Sequence, residues 1–130
     1  MSRSQLKPET SYQAVVGRVM VSFRKKIGAD QAPLAASVGV TQSTWSRIER
    51  GESSLSVGQL AEAAKYLRVH PSAILLEVEN AVRELAAQGV IVRIITAKST
   101  KSKTGVAMIG AAALGALVGA AVAKSKNLDT

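Results

Sequence analysis

Apolar residues recur every three or four positions through the first two thirds of the chain, and each run ends where a helix would end. Val15, Val16, Val19, Met20, Phe23 and Ile27 form one stripe, which predicts an amphipathic first helix starting near residue 12. Gly28 follows as a C-terminal cap. Asp30 is placed to cap a second helix, with Pro33 tolerated in its first turn and Leu34, Ala35 and Val38 facing inward. Gly39 and Val40 make a tight turn, Thr41 caps a third helix over QSTWSRIER, and Gly51 ends it. Ser56 and Gln59 have capping-box spacing and open a fourth helix through Leu60, Ala63, Ala64 and Leu67. His70 precedes Pro71 at the first position of a fifth, with Ile74, Leu75 and Leu76 following.

Beyond this block the pattern changes. Leu75, Val78, Val82 and Leu85 recur at near-heptad steps and predict an extra helix with a dimer seam. Gly89 ends it, and VIVRII (90–95) is β-branched enough to predict a strand, paired either with a symmetry mate or back on the domain. A basic linker (97–104) leads to nineteen residues, GVAMIGAAALGALVGAAVA (105–123), with no charge, and a polar end (124–130). The N-terminal residues 1–11 read as a polar arm before a domain over 12–76, and 77–96 as the dimerisation helix and strand.

Charge and composition narrow the chemistry. The net charge is +8, with ten Lys/Arg against seven Asp/Glu in residues 1–80 and seven against two in residues 81–130. Such a surface favours nucleic acid or anionic membrane. There is no cysteine and one histidine, so disulfides, thiolate metal sites and histidine clusters are not expected. No phosphate-binding glycine loop or acid/base pair stands out, so neither an enzyme nor any cofactor, metal or small-molecule ligand is expected.

The third helix carries the candidate chemistry. Trp45 and Ile48 share one face and suit a core role, with Trp45 better placed for packing than for stacking on a base. Gln42, Ser43, Ser46 and Arg47 remain for the outer surface. Gln can contact adenine through two hydrogen bonds and Arg can do so with guanine, on a helix of the size the major groove admits. Gln31, at the start of the second helix, is placed to hold a phosphate.

These residues carry a resemblance. The stretch DQAPLAASVGVTQSTWSRIERGESSLSVGQLAEAAKYLRVHPSAILL (30–76) resembles the lambda-repressor/Cro-type helix-turn-helix family, also called the xenobiotic-response-element family. The match lies in Gln31, Leu34-Ala35, Gly39-Val40, Thr41-Gln42, Arg47-Ile48-Glu49, Gly51, Leu60, Ala63 and Leu67. The resemblance implies a five-helix DNA-binding domain in which Gln42, Ser43 and Arg47 read bases and Gln31 binds phosphate. The full expected contact set is Gln31, Thr41, Gln42, Ser43, Thr44, Ser46, Arg47 and Arg50. Arg24 and Glu49 match a structural ion pair of the family. Pro33, Trp45 and Arg68 depart from its usual residues.

The expected fold class is therefore all-α: a five-helix lambda-repressor-like domain, an extra helix, a short strand and an apolar Gly/Ala-rich C-terminal helix. In that last helix Ala107, Ala111, Gly115, Gly119 and Ala123 fall four apart and form a small-residue ridge. As a helix the run spans about 28 Å, which suits either a membrane span or close helix pairing. Its removal is expected to leave the DNA-contacting fold intact. The expected function is a cytoplasmic, dimeric repressor bound to double-stranded DNA, with dimer contacts in residues 75–95 and in the tail, and with the tail also able to contact the cytoplasmic membrane. The alternative is a membrane-anchored scaffold or an antitoxin-like protein-binding module.

Overall fold

A computed structural model describes residues 7–96, 106–108 and 114–115. It is mostly helical, with α1 at Tyr12–Lys26, α2 at Gln31–Val38, α3 at Gln42–Glu49, α4 at Val57–Leu67 and α5 at Pro71–Ala87. Three short strands accompany them: β1 at Lys7–Ser11, β2 at Ile91–Arg93 and β3 at Val106–Met108.

Local chemistry explains the helix ends. Ser11, Thr41 and Ser56 each accept a hydrogen bond from a backbone N–H in the first turn of the helix they open. Ser56 and Gln59 complete a reciprocal capping box. Arg24, Lys25 and Lys26 fill the last turn of α1, where positive charge suits the helix dipole. Asp30 and His70 occupy N-cap positions, but neither side chain makes a capping hydrogen bond. Arg68 closes α4 in the left-handed region, at φ 61°, a conformation that favours glycine.

Val15, Val19, Met20, Leu34, Trp45, Ala63, Ala64, Leu67, Ile74, Val78 and Leu85 form the core where the five helices meet. The expected fifth and extra helices are one continuous helix. No Gly or Pro interrupts residues 72–88, and Ile74, Val78, Ala81 and Leu85 keep a single buried face. This corrects the expected dimer seam. Val78 and Leu85 are fully buried within their own chain, so they cannot also face a partner.

The expected polar arm is also corrected from residue 7 onward. β1 is the central strand of a parallel sheet ordered β2-β1-β3. Glu9, Thr10 and Ser11 are buried, and partners satisfy the first and last of them: Arg93 of β2 pairs with Glu9, and Ser11 caps α1. The strand expected at 90–95 thus pairs within the domain, with Glu9 opposite Ile91.

The apolar tail is not one helix from its start. Val106–Met108 pair with Lys7–Glu9 in the sheet, and Leu114 is buried in the core. The tail is therefore not the separable appendage expected. Of the expected ridge, Ala107 lies in β3 and Gly115 is placed beside α1, while Ala111, Gly119 and Ala123 fall outside the described residues. A membrane span over all of 105–123 is excluded by the strand. Among the described residues no helix is long and apolar enough to cross a membrane.

Candidate nucleic-acid interface

α2 and α3 are joined by the turn at Gly39 and Val40. Gly39 takes φ 84°, and its N–H and that of Val40 donate to carbonyls of α2. The left-handed conformation there is what a glycine permits at low cost. α3 then begins at Gln42 with Thr41 as its cap.

The two faces of α3 differ sharply. Trp45, Ile48 and Glu49 are buried, whereas Gln42, Ser43, Arg47 and Arg50 are exposed and Thr44 and Ser46 are half-buried. At about 100° per residue, Gln42, Ser43, Ser46, Arg47 and Arg50 fall within about 140° of the helix circumference. The chain thus presents one polar stripe outward from a helix fixed by an apolar and ionic inner face.

Glu49 is the centre of that inner face. Its carboxylate accepts from Arg24 Nε at 2.7 Å and Arg24 Nη2 at 3.0 Å, from Gln31 Nε2 at 2.7 Å and from the Trp45 indole N–H at 2.7 Å. Arg24 also donates to the Ala29 carbonyl at 3.0 Å. One carboxylate therefore ties α1, α2 and α3 together. Burial by itself would raise the Glu49 pKa. The hydrogen bonds from Arg24, Gln31 and Trp45, with the charge of Arg24, outweigh it and leave the group below its ordinary value. Gln31, expected to hold a phosphate, donates one of its two amide hydrogens to this buried carboxylate.

The remaining expected contacts are partly occupied. Arg50 pairs with Glu52 at 2.8 Å and donates to Ser46 Oγ at 2.7 Å. The Glu52 carboxylate raises the Arg50 pKa, and the Arg50 hydrogen bond lowers that of Glu52. Both side chains are exposed, so this pair contributes little to stability and can exchange for a phosphate. Thr41 bonds Thr44 and lies near Ser43, which makes this threonine group the helix cap as well as an exposed edge. The Arg47 side chain makes no hydrogen bond among the described residues, though its charge helps lower the pKa of Glu52.

Two residues were not legible as site members. Gly17 of α1 lies so close to α3 that an added Cβ would be 2.4 Å from the Ile48 carbonyl oxygen. Arg18 donates twice to the Glu49 carbonyl, through Nε at 3.1 Å and Nη2 at 2.6 Å. Burial lowers the Arg18 pKa, opposed by Glu49 and reinforced by Arg24 and Arg50. A glycine in the middle of an amphipathic helix was the one signal for the first; nothing in the pattern marked the second.

Comparison with known proteins agrees with this geometry. The helix-turn-helix family profile matches residues 22–74. A crystal structure of the clp gene regulator ClgR from Corynebacterium glutamicum is similar at 27% identity and a TM-score of 0.57, over 59% of this chain and 82% of that one. A second ClgR structure from C. glutamicum is similar at 26% identity and a TM-score of 0.52, over 54% of this chain and 91% of that one. No curated protein sequence matches the chain. Residues 22–74 form a helix-turn-helix domain of the lambda-repressor/Cro type, a fold found in DNA-binding transcriptional regulators.

Proposed function

We propose that the protein is a cytoplasmic, sequence-specific transcriptional repressor that reads double-stranded DNA as a dimer. The observation that carries this reading is the outer stripe of α3, where Gln42, Ser43 and the fork of Arg47 project from a helix locked by Glu49. Gln and Arg are the side chains that read adenine and guanine bidentately, and a rigid base is what makes such contacts specific. The similarity to a gene regulator supports the same reading. Repression is the simplest action of a DNA-binding unit, which occludes a promoter by occupying it.

A single unit reads only a few base pairs, so specificity favours two copies on half-sites about 34 Å apart. The exposed apolar residues Val57, Leu75, Leu76, Ile94 and Ile95 are the part of the surface suited to that contact. Several of them border an apolar groove of about 350 Å³ between α1, α4 and the segment after β2. They replace the Val78–Leu85 seam as the proposed interface.

Selection of bound duplexes from random DNA tests the proposal, with a two-fold symmetric site as the expected result. Arg47→Ala is expected to weaken binding to the selected site by about 1–3 kcal/mol and to relax preference at one base position. An equal loss on every sequence would show that Arg47 holds phosphate and reads no base.

A further inference from the structure

The carbonyl of Glu49 belongs to the last turn of α3, where backbone oxygens lack partners within the helix. Arg18 supplies that partner with two donors. A long arginine loses rotamer freedom when fixed in this way, so whatever confines it matters. One side of Arg18 is walled by the C-terminal segment. A Cβ placed on Gly115 would lie 3.6 Å from both Cδ and Nη1 of Arg18, so the Gly115 backbone packs alongside the side chain. Leu114, just before it, is only 2% exposed and anchors the segment in the core.

The same segment reaches α1 by a second route. β3 pairs with β1, and β1 runs into α1 without a linker, through the Ser11 cap. Two anchor points of the C-terminal segment thus converge on the helix that holds the end of α3.

We propose that Arg18 is a positioning residue for α3 and that docking of β3 and Leu114–Gly115 holds Arg18 in place, so that the DNA-reading helix senses whether the C-terminal segment is docked. The inference deepens the proposed DNA-reading function and rests on it only in its affinity readout. It turns the tail from an appendage into an input: undocking it loosens α3 from behind, without touching the outer stripe.

The test uses the full chain and follows hydrogen exchange at Arg50, Gly51 and Glu52, whose N–H groups donate to Ser46, Ile48 and Arg47 at the end of α3. Arg18→Ala and Leu114→Asp are each expected to speed exchange there about tenfold while amides around Val78 and Leu85 stay protected. Gly115→Leu crowds Arg18 without placing a charge in the core and should act in the same direction. It keeps the test decisive if Leu114→Asp does not fold. Arg18→Lys, which keeps one cationic donor, should recover part of the protection. Affinity for the selected duplex should fall about tenfold in step with the exchange. A response to Arg18→Ala alone would overturn the coupling to the tail, and no response to any variant would overturn the positioning role as well. Should the wild-type chain bind no duplex at all, the DNA-reading function fails while the exchange data still decide on Arg18.

Discussion

Glu49→Ala is expected to destabilise the fold by about 3–5 kcal/mol, because it removes one partner of a buried, multiply bonded ion pair. The loss has several parts. Arg24, at 12% side-chain exposure, would keep its charge with no carboxylate beside it. The Trp45 indole N–H and the Gln31 amide would lose their acceptor in the same buried place. Chemical denaturation followed by helical circular dichroism measures the change. A loss under about 1 kcal/mol would mean that water replaces the carboxylate at little cost. In a double-mutant cycle with Arg24→Ala, the two losses should add to more than the double variant shows, since the second change removes the stranded charge.

The same group gives a pH dependence with a defined sign. The native Glu49 pKa lies below its ordinary value, so the ionised form is favoured by folding. Its contribution is complete above the unfolded-state value of about 4.3 and is lost as the pH falls from there through the lower native value. Wild-type stability should therefore decline below about pH 4 more steeply than that of Glu49→Gln, which keeps an acceptor but no titrating charge.

The helices were readable because their causes are local. Caps such as Ser56 with Gln59, the turn glycine at 39 and three-to-four spacing act within one or two turns, and a single sequence contains them. The outward direction of Gln42, Ser43 and Arg47 followed from the same periodicity. The sheet was hidden because its causes are distant. Glu9 is polar in a polar stretch, and only Arg93, 84 residues away, makes its burial affordable. The seam at Val78 and Leu85 misled for a related reason: periodicity reveals a buried face but not whether the chain itself or a second copy buries it. Gln31 could be placed at the start of α2 from sequence, but its hydrogen bond to Glu49 depends on how α2 and α3 cross.

Gly17→Ala is expected to cost about 3 kcal/mol, the upper end of what overpacking does. At most exposed helical positions the swap helps, since alanine is the better helix former by about 1 kcal/mol. Gly58 in α4 is the control: an added Cβ there meets nothing nearer than Ser56 Oγ at 4.0 Å, so Gly58→Ala should leave stability unchanged or raise it. At Gly17 the same carbon would stand 2.4 Å from the Ile48 oxygen and 2.5 Å from the Glu49 oxygen. Both obstacles are backbone, so no side chain can rotate away and α1 must move from α3 as a body. That movement would pull at the Arg18 and Arg24 bonds to Glu49, which are only 2.6–3.1 Å long, and so tilt the helix that carries Arg47. Gly17→Ala should thus lower both the denaturation midpoint and the affinity for the selected duplex, whereas Arg47→Ala should lower affinity alone. A Gly17→Ala protein as stable as wild type would mean that α1 and α3 pack with more room than the close approach at Gly17 allows.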